Sequence, residues 1–138
     1  MSKALERFIE AQAETYEDAL KEIKAGHKVT HWMWWIFPQY KGLGVSEISK
    51  YYSIQSKAEA KAYLAHPILG RRLLECMNAL LGLRTNNAVE VFGEIDAKKL
   101  KSCMTLFCYS GCTLCTMVLN KFFDGDVDAE TIRLLIGE

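Results

Sequence analysis

THWMWWIFPQYKGLG, residues 30–44, gathers all three tryptophans of the chain beside a histidine, a Phe-Pro step and a Gly-x-Gly. At helical spacing His31 lies beside Trp34 and Trp35, and Trp32 lies beside Ile36, so a short helix over 31–36 is aromatic all round. Such a segment must be enclosed on most sides, line a ligand pocket or cover a partner, because apolar patches of that size rarely stay open on a soluble monomer. Thr30 is placed to cap it, and Pro38 ends it by pushing the preceding residue out of helical geometry. Residues 38–44 then read as a loop.

Outward from this segment the apolar residues keep the period of helices, and strict alternation of the kind a half-buried strand needs is absent. On the N-terminal side, Ser2 can cap a first helix whose inner face is Leu5, Phe8, Ile9 and Gln12. Tyr16, Ala19, Leu20 and Ile23 continue the spacing to a stop at Gly26, with Thr15 either capping a second helix or lying inside one long one. On the C-terminal side, 46–52 makes a short helix, and Ser56 with Glu59 forms the capping box of another that ends near His66. Pro67 suits the first position of the next helix, whose stripe of Leu69, Leu73, Cys76, Met77 and Leu80 reaches about Leu83 and predicts the longest, central helix. Asn86 or Asn87 caps a brief helix stopped by Gly93, Asp96 caps one carrying Leu100, Cys103, Met104 and Phe107, and residues 109–111 turn. Leu114, Met117, Val118 and Phe122 face inward from the next, and Asp128 caps the last. No repeat or linker divides the sequence, so the expectation is all-α, one compact domain over 1–138, a helical bundle of about seven or eight helices with the aromatic segment against the long helix from Pro67.

Composition limits the function classes. Seventeen basic residues balance seventeen acidic ones, which gives no positive field for nucleic acid or an anionic membrane. The N-terminal residues lack the apolar core of a signal peptide and no apolar run approaches a membrane span, so a soluble cytoplasmic protein is expected. Five cysteines, an odd number without a secretory signal, point to reduced thiols.

Four of those cysteines, Cys103, Cys108, Cys112 and Cys115, lie close together and end in C-x-x-C. Their spacing matches no zinc pair-of-pairs and no βαβ frame surrounds them, so they read as buried thiols rather than a metal or redox centre. The acidic run from Asp124 hints at a calcium loop, but Ala129 and Leu135 stand where its glycine and bidentate glutamate belong. No metal and no cofactor are expected.

For a small polar ligand the groups available are Trp32 or Trp35 as a stacking wall, His31 and Gln39 as hydrogen-bonding groups, and Arg72 as an anion contact. A flat polar ring such as a nucleobase or nicotinamide fits that set, which makes a binding domain for a nucleotide-like metabolite the leading reading. Whether there is catalysis is left open. A hydrolase would use the same pocket with His31 as general base and Ser102 or Thr105 positioning substrate or water. Against that, the hydroxyls of Ser102, Thr105 and Tyr109 fit the solvated outer face of their helix, and Arg72 fits a structural ion pair. A third reading makes the tryptophan segment a protein-interaction surface, and the sequence does not choose between monomer and homodimer.

Arg7, Phe8 and Gln12, the run HWMWWIFPQ at 31–39 and the Gly42-Leu-Gly44 turn together resemble family 1810 of the domains of unknown function. The likeness continues through YLAHPILGRRL at 63–73, Phe92-Gly93 with Asp96, SCMTLF at 102–107, and Gly125 with Asp128 and Thr131, so it covers nearly the whole chain. It implies a small, single-domain, all-α protein of a mainly bacterial family and no established activity. The label calpastatin sometimes given to such proteins finds no inhibitory repeat here. The matched positions include His31, Trp32, Trp34, Phe37, Pro38, Gln39, Arg72, Ser102 and Thr105, and the four clustered cysteines lie outside the pattern.

Overall fold

The computed structural model describes residues 3–138, so the Ser2 cap expected for the first helix lies outside them. A single turn of 3-10 helix, Lys3–Leu5, leads into α1 (Glu6–Ala25), which runs unbroken through Thr15. Thr15 turns its hydroxyl onto the carbonyl of Ala11 instead of capping a second helix. Gly26, at φ 76°, closes α1 with its N–H on the carbonyls of Glu22 and Ile23, a left-handed position that glycine adopts without the Cβ clash.

The remaining elements are α2 (Met33–Ile36), α3 (Glu47–Tyr51), α4 (Lys57–Ala65), α5 (Leu69–Leu81), α6 (Ala88–Phe92), α7 (Glu94–Cys108), α8 (Thr113–Phe123) and α9 (Ala129–Ile136). The all-α expectation holds: among the described residues the only sheet-like pairing is one isolated parallel bridge between Tyr40 and Ile54. Side-chain caps appear where the sequence places them for α4 (Ser56), α6 (Asn87) and α9 (Asp128), and Ser46 caps α3.

Four local expectations are corrected. The helix of the aromatic segment begins at Met33, not His31, because Thr30 gives its hydroxyl and N–H to Glu22 and leaves Trp32 as the cap. Pro67 does not begin α5. The His66 ring does that work, its Nδ1 accepting from the N–H groups of Ile68 and Leu69 at 3.1 and 3.3 Å. Asp96 sits inside α7, whose cap is Gly93, and its carboxylate pairs with Lys28 and Lys99. The longest helix is α1, of 20 residues, while α5 has 13.

α5 is nonetheless central. Its Leu69, Leu73, Cys76, Met77 and Leu80 are fully buried, each apolar side chain contributing about 1.5–3 kcal/mol on leaving water, and it packs against α1, α4 and α8. The second layer is α7, which lies against α6, α8, α9 and the end of α4. The aromatic helix α2 docks on α1 instead of on α5.

Gly70 sets the spacing of α4 and α5: a Cβ there would stand 2.1 Å from the carbonyl oxygen of Leu64. Because that obstacle is backbone, a side chain can enter only by separating the helices. Gly70→Ala is therefore expected to destabilise the fold by about 2 kcal/mol or more, the scale of overpacking in a tight interior. Urea denaturation at neutral pH, with the midpoint falling at unchanged slope, checks it.

Candidate functional site

The aromatic segment is held by one face of α1. Gln12, Thr15, Ala19 and Glu22 fall at intervals of three, four and three residues, which brings them to the same side of the helix. Gln12 Nε2 donates to the Trp35 carbonyl at 2.7 Å and to the Tyr63 hydroxyl at 3.0 Å. Thr15 accepts from Trp35 Nε1 at 2.8 Å. Ala19, fully buried, leaves the helix surface low between them. Glu22 gathers the entry to the segment, its carboxylate accepting from Trp32 Nε1 (2.9 Å), the N–H of Val29 (2.7 Å), and the N–H and hydroxyl of Thr30 (3.0 and 2.6 Å). Partial burial works against its charge, but these donors outweigh it and hold the Glu22 carboxyl down at about 2.

Beyond α2 the chain passes Pro38 and pairs briefly with the strand-like stretch before α4. The Ile54 N–H donates to the Gln39 carbonyl at 2.8 Å, and the Lys41 N–H to the Ile54 carbonyl at 2.9 Å. Arg7 secures the other side of this junction, giving Nε to the Tyr51 carbonyl and Nη2 to the Ser53 carbonyl, both at 2.7 Å, while its guanidinium pairs with Glu59 at 3.0 Å. Tyr52 packs on Trp35 with the ring centroids 5.1 Å apart and the planes tilted by 55°. Between these two stretches lies a cavity of about 310 Å³ lined by Trp34, Gln39, Tyr40, Lys41, Gly42, Gly44, Ser49, Lys50, Tyr52, Ser53 and Gln55.

One atom in this cavity wall is out of keeping with the rest of the molecule. Gln39 is only 8% exposed, and its Nε2 is buried with no hydrogen-bond partner, the only such side-chain nitrogen or oxygen among the described residues. Leaving a buried donor idle costs about 1–3 kcal/mol. No acidic side chain lines the cavity, whereas Lys41 and Lys50 do.

The other expected site residues do not converge there. Trp32 is 1% exposed, wedged against Phe37 and Phe92 with its indole N–H on Glu22. It fills its own space and offers no stacking face. Trp35 is committed to Thr15 and Tyr52. His31 is exposed, and with the edges of Trp32, Trp34 and Trp35 lines a second hollow of about 240 Å³ beside Lys28, Asp96 and Lys99. Arg72 borders a third, open groove with Glu17 and Lys21, its guanidinium 4.9 Å over the Tyr16 ring and its Nη1 3.4 Å from Gln12 Oε1.

Ser102 and Thr105 belong to none of these hollows, and neither fits the solvated face or the substrate contact. Both are buried. Ser102 Oγ bonds to Asp128 and the Lys98 carbonyl, each at 3.1 Å, and Thr105 accepts the Asp128 N–H at 2.9 Å while donating to Lys101 O at 2.8 Å. Their hydroxyls hold the cap of α9 to α7, so the assembly of His31 with an activated or positioned hydroxyl is not built. The tryptophan patch is not an open surface either: Trp32 is buried, and Trp34 and Trp35 are half-buried.

The residue that faces the cavity from the aromatic run is Trp34, which also packs under Lys99, whose Nζ lies 4.1 Å from the ring centroid. Its place in the HWMWW run was visible, but the choice of indole depended on where α2 begins. Lys50 and Tyr52 carried no sequence signal, since nothing local marks the pairing that brings 49–55 beside 39–44. Among the described residues no group of three or more His, Cys, Asp or Glu side chains could hold a metal ion, and no helix is long and apolar enough to cross a membrane.

Compared with known proteins, residues 2–135 match the model of the family described as protein of unknown function (DUF1810). The fold superposes with a TM-score of 0.93 on the crystal structure of the conserved hypothetical protein Rv1873 from Mycobacterium tuberculosis, at 41% sequence identity over 96% of each chain. No curated protein matches the chain.

The depressed carboxyl of Glu22 makes a pH-dependent prediction. An unfolded glutamate titrates near about 4.3, above the folded value, so its stabilisation is complete above that pH and is lost as pH falls toward about 2. Discounted for the water that reaches the carboxylate, it amounts to about 1–2 kcal/mol. Glu22→Gln is expected to be less stable than the parent by that amount at pH 6 and nearly equal to it at pH 2. Paired denaturation curves across this range check both ends.

Proposed function

Because the chain belongs to the DUF1810 family of proteins of unknown function, we propose from its own geometry that it binds a small polar, nucleotide-like metabolite in the cavity walled by Gln39 and Trp34. The carrying observation is the idle Gln39 Nε2, a buried donor on a residue that lines a solvent-connected cavity. A guest carrying a carbonyl or ring-nitrogen acceptor would satisfy it. Trp34 offers an indole for a planar ring to pack on, and Lys41 and Lys50, with no carboxylate lining the same cavity, suit an anionic substituent. The volume lies at the small end of ligand sites, which run from about 300 to 1,000 Å³, so the guest is of mononucleotide size or less. Trp34 thus takes the stacking part first assigned to Trp32 or Trp35, and Lys41 and Lys50 the anion contact first assigned to Arg72.

Thermal-shift screening against nucleoside monophosphates, free nucleobases and nicotinamide tests this reading. A ligand present at about 100 times its Kd adds about 2.7 kcal/mol of stability, enough to raise Tm by several degrees in a domain of this size. Gln39→Met, which keeps the side-chain length and removes the idle donor, is expected to leave the free protein as stable as the parent or more so, while abolishing the shift. A panel without any response, or a response that survives Gln39→Met, refutes the proposal.

A further inference from the structure

The C-x-x-C at the α7–α8 junction is a pair of thiols in unlike environments at one helix start. Cys112 is the cap of α8, at φ −93° and ψ 108°, and Cys115 lies one turn inside the helix. Residues three apart at a helix start are near neighbours, within reach of disulfide geometry after a small closure. At this helix start the neighbouring Cys115 thiol and the backbone N–H groups of Cys115 and Leu114 favour the charged form of the Cys112 sulfur. Against partial burial, these donors hold the Cys112 thiol down at about 6. Cys115 is fully buried and its own thiol is pushed well up by the neighbouring Cys112 sulfur and by burial, while its Sγ donates to Met77 Sδ at 3.4 Å.

Access is equally asymmetric. Cys112, 9% exposed, opens onto a hollow of about 260 Å³ walled by Leu64, Leu74, Thr113 and Leu114, with no charged residue in its lining. Disulfide exchange needs a reachable thiolate first and a second thiol behind it, placed to attack the bond the first one makes. A βαβ frame is one way to supply that arrangement. The turn at 109–111 followed by the start of α8 supplies it here within an all-α fold.

We propose that Cys112 and Cys115 form a redox-active dithiol that reduces a low-molecular-weight disulfide with uncharged arms, Cys112 attacking and Cys115 resolving. The Cys112 thiolate attacks one sulfur of the substrate RSSR, the S–S bond breaks, and RS⁻ leaves as a mixed disulfide forms on Cys112. Cys115 gives its proton to that RS⁻, attacks the Cys112 sulfur and expels the second RS⁻, which is protonated from water. In sum the dithiol loses two protons and two electrons, and RSSR becomes two RSH. This site stands apart from the Gln39 cavity and does not depend on it.

The test uses reduced full-length protein and bis(2-hydroxyethyl) disulfide, followed by intact mass and peptide mapping. The expected result is a Cys112–Cys115 disulfide without a lasting adduct, and release of both halves of the reagent as thiol. Cys115→Ser is expected to stop at a stable mixed disulfide on Cys112, and Cys112→Ser to leave the reagent unconsumed. A measurement needing no variant is iodoacetamide labelling of the parent protein across pH, where Cys112 should reach half its maximal rate near pH 6, well below the ~8.5 of an ordinary thiol. Adducts on Cys108 while Cys112 and Cys115 stay reduced, or a labelling midpoint for Cys112 in the ordinary range, overturn the proposal.

Discussion

Three indoles cannot be enclosed in a small helical domain unless the polar edge of each ring is provided for, and α1 meets most of that need. Its stripe of Gln12, Thr15, Ala19 and Glu22 receives the Trp35 carbonyl, the Trp35 N–H and the Trp32 N–H in turn. The small side chain of Ala19 lets α2 settle close to the helix between these bonds. With the position of α2 fixed in this way, Pro38 and Gln39 are delivered to the bridge with Ile54, and Trp34 is left facing outward. The site is therefore a consequence of how two tryptophans were housed, with the third released from that duty.

Much of the fold could be read from periodicity because the core is built from continuous stripes. The Leu69, Leu73, Cys76, Met77 and Leu80 face of α5 and the caps Ser56, Asn87 and Asp128 are local signals with local causes. Readings failed where a long-range partner outbid a local one. Thr30 has the chemistry of a cap but is drawn to Glu22, eight residues away across a turn. Asp96 is equally suitable as a cap and is drawn instead to Lys28 and Lys99. His66 caps α5 through a ring nitrogen, which patterns built on Ser, Thr, Asp and Asn do not anticipate.

The site was legible only in part for the same reason. Gln39 stood out from its neighbours, but whether its amide is satisfied is a property of residues 49–55, which no local pattern ties to it. The hydroxyls of Ser102 and Thr105 looked like an outer face until α9 was laid across them, since an amphipathic period reports which side of a helix is polar and not what covers that side. Arg7 and Gln12, by contrast, were marked by the family likeness. Their role is now physical: Arg7 ties the carbonyls of Tyr51 and Ser53, and Gln12 joins α1 to Trp35 and Tyr63.

Trp34 lines both the hollow beside Gln39 and the hollow beside His31. A single ring is thus a shared partition, and the two volumes are not independent: a tilt that enlarges one compartment narrows its neighbour. The Lys99 ammonium resting over that ring is itself paired with Asp96, so the tilt is coupled to a pair of opposite charges near the surface. That pair is only 21% and 19% exposed at its two side chains, so dissolved salt screens it weakly and the partition keeps its footing as ionic strength changes.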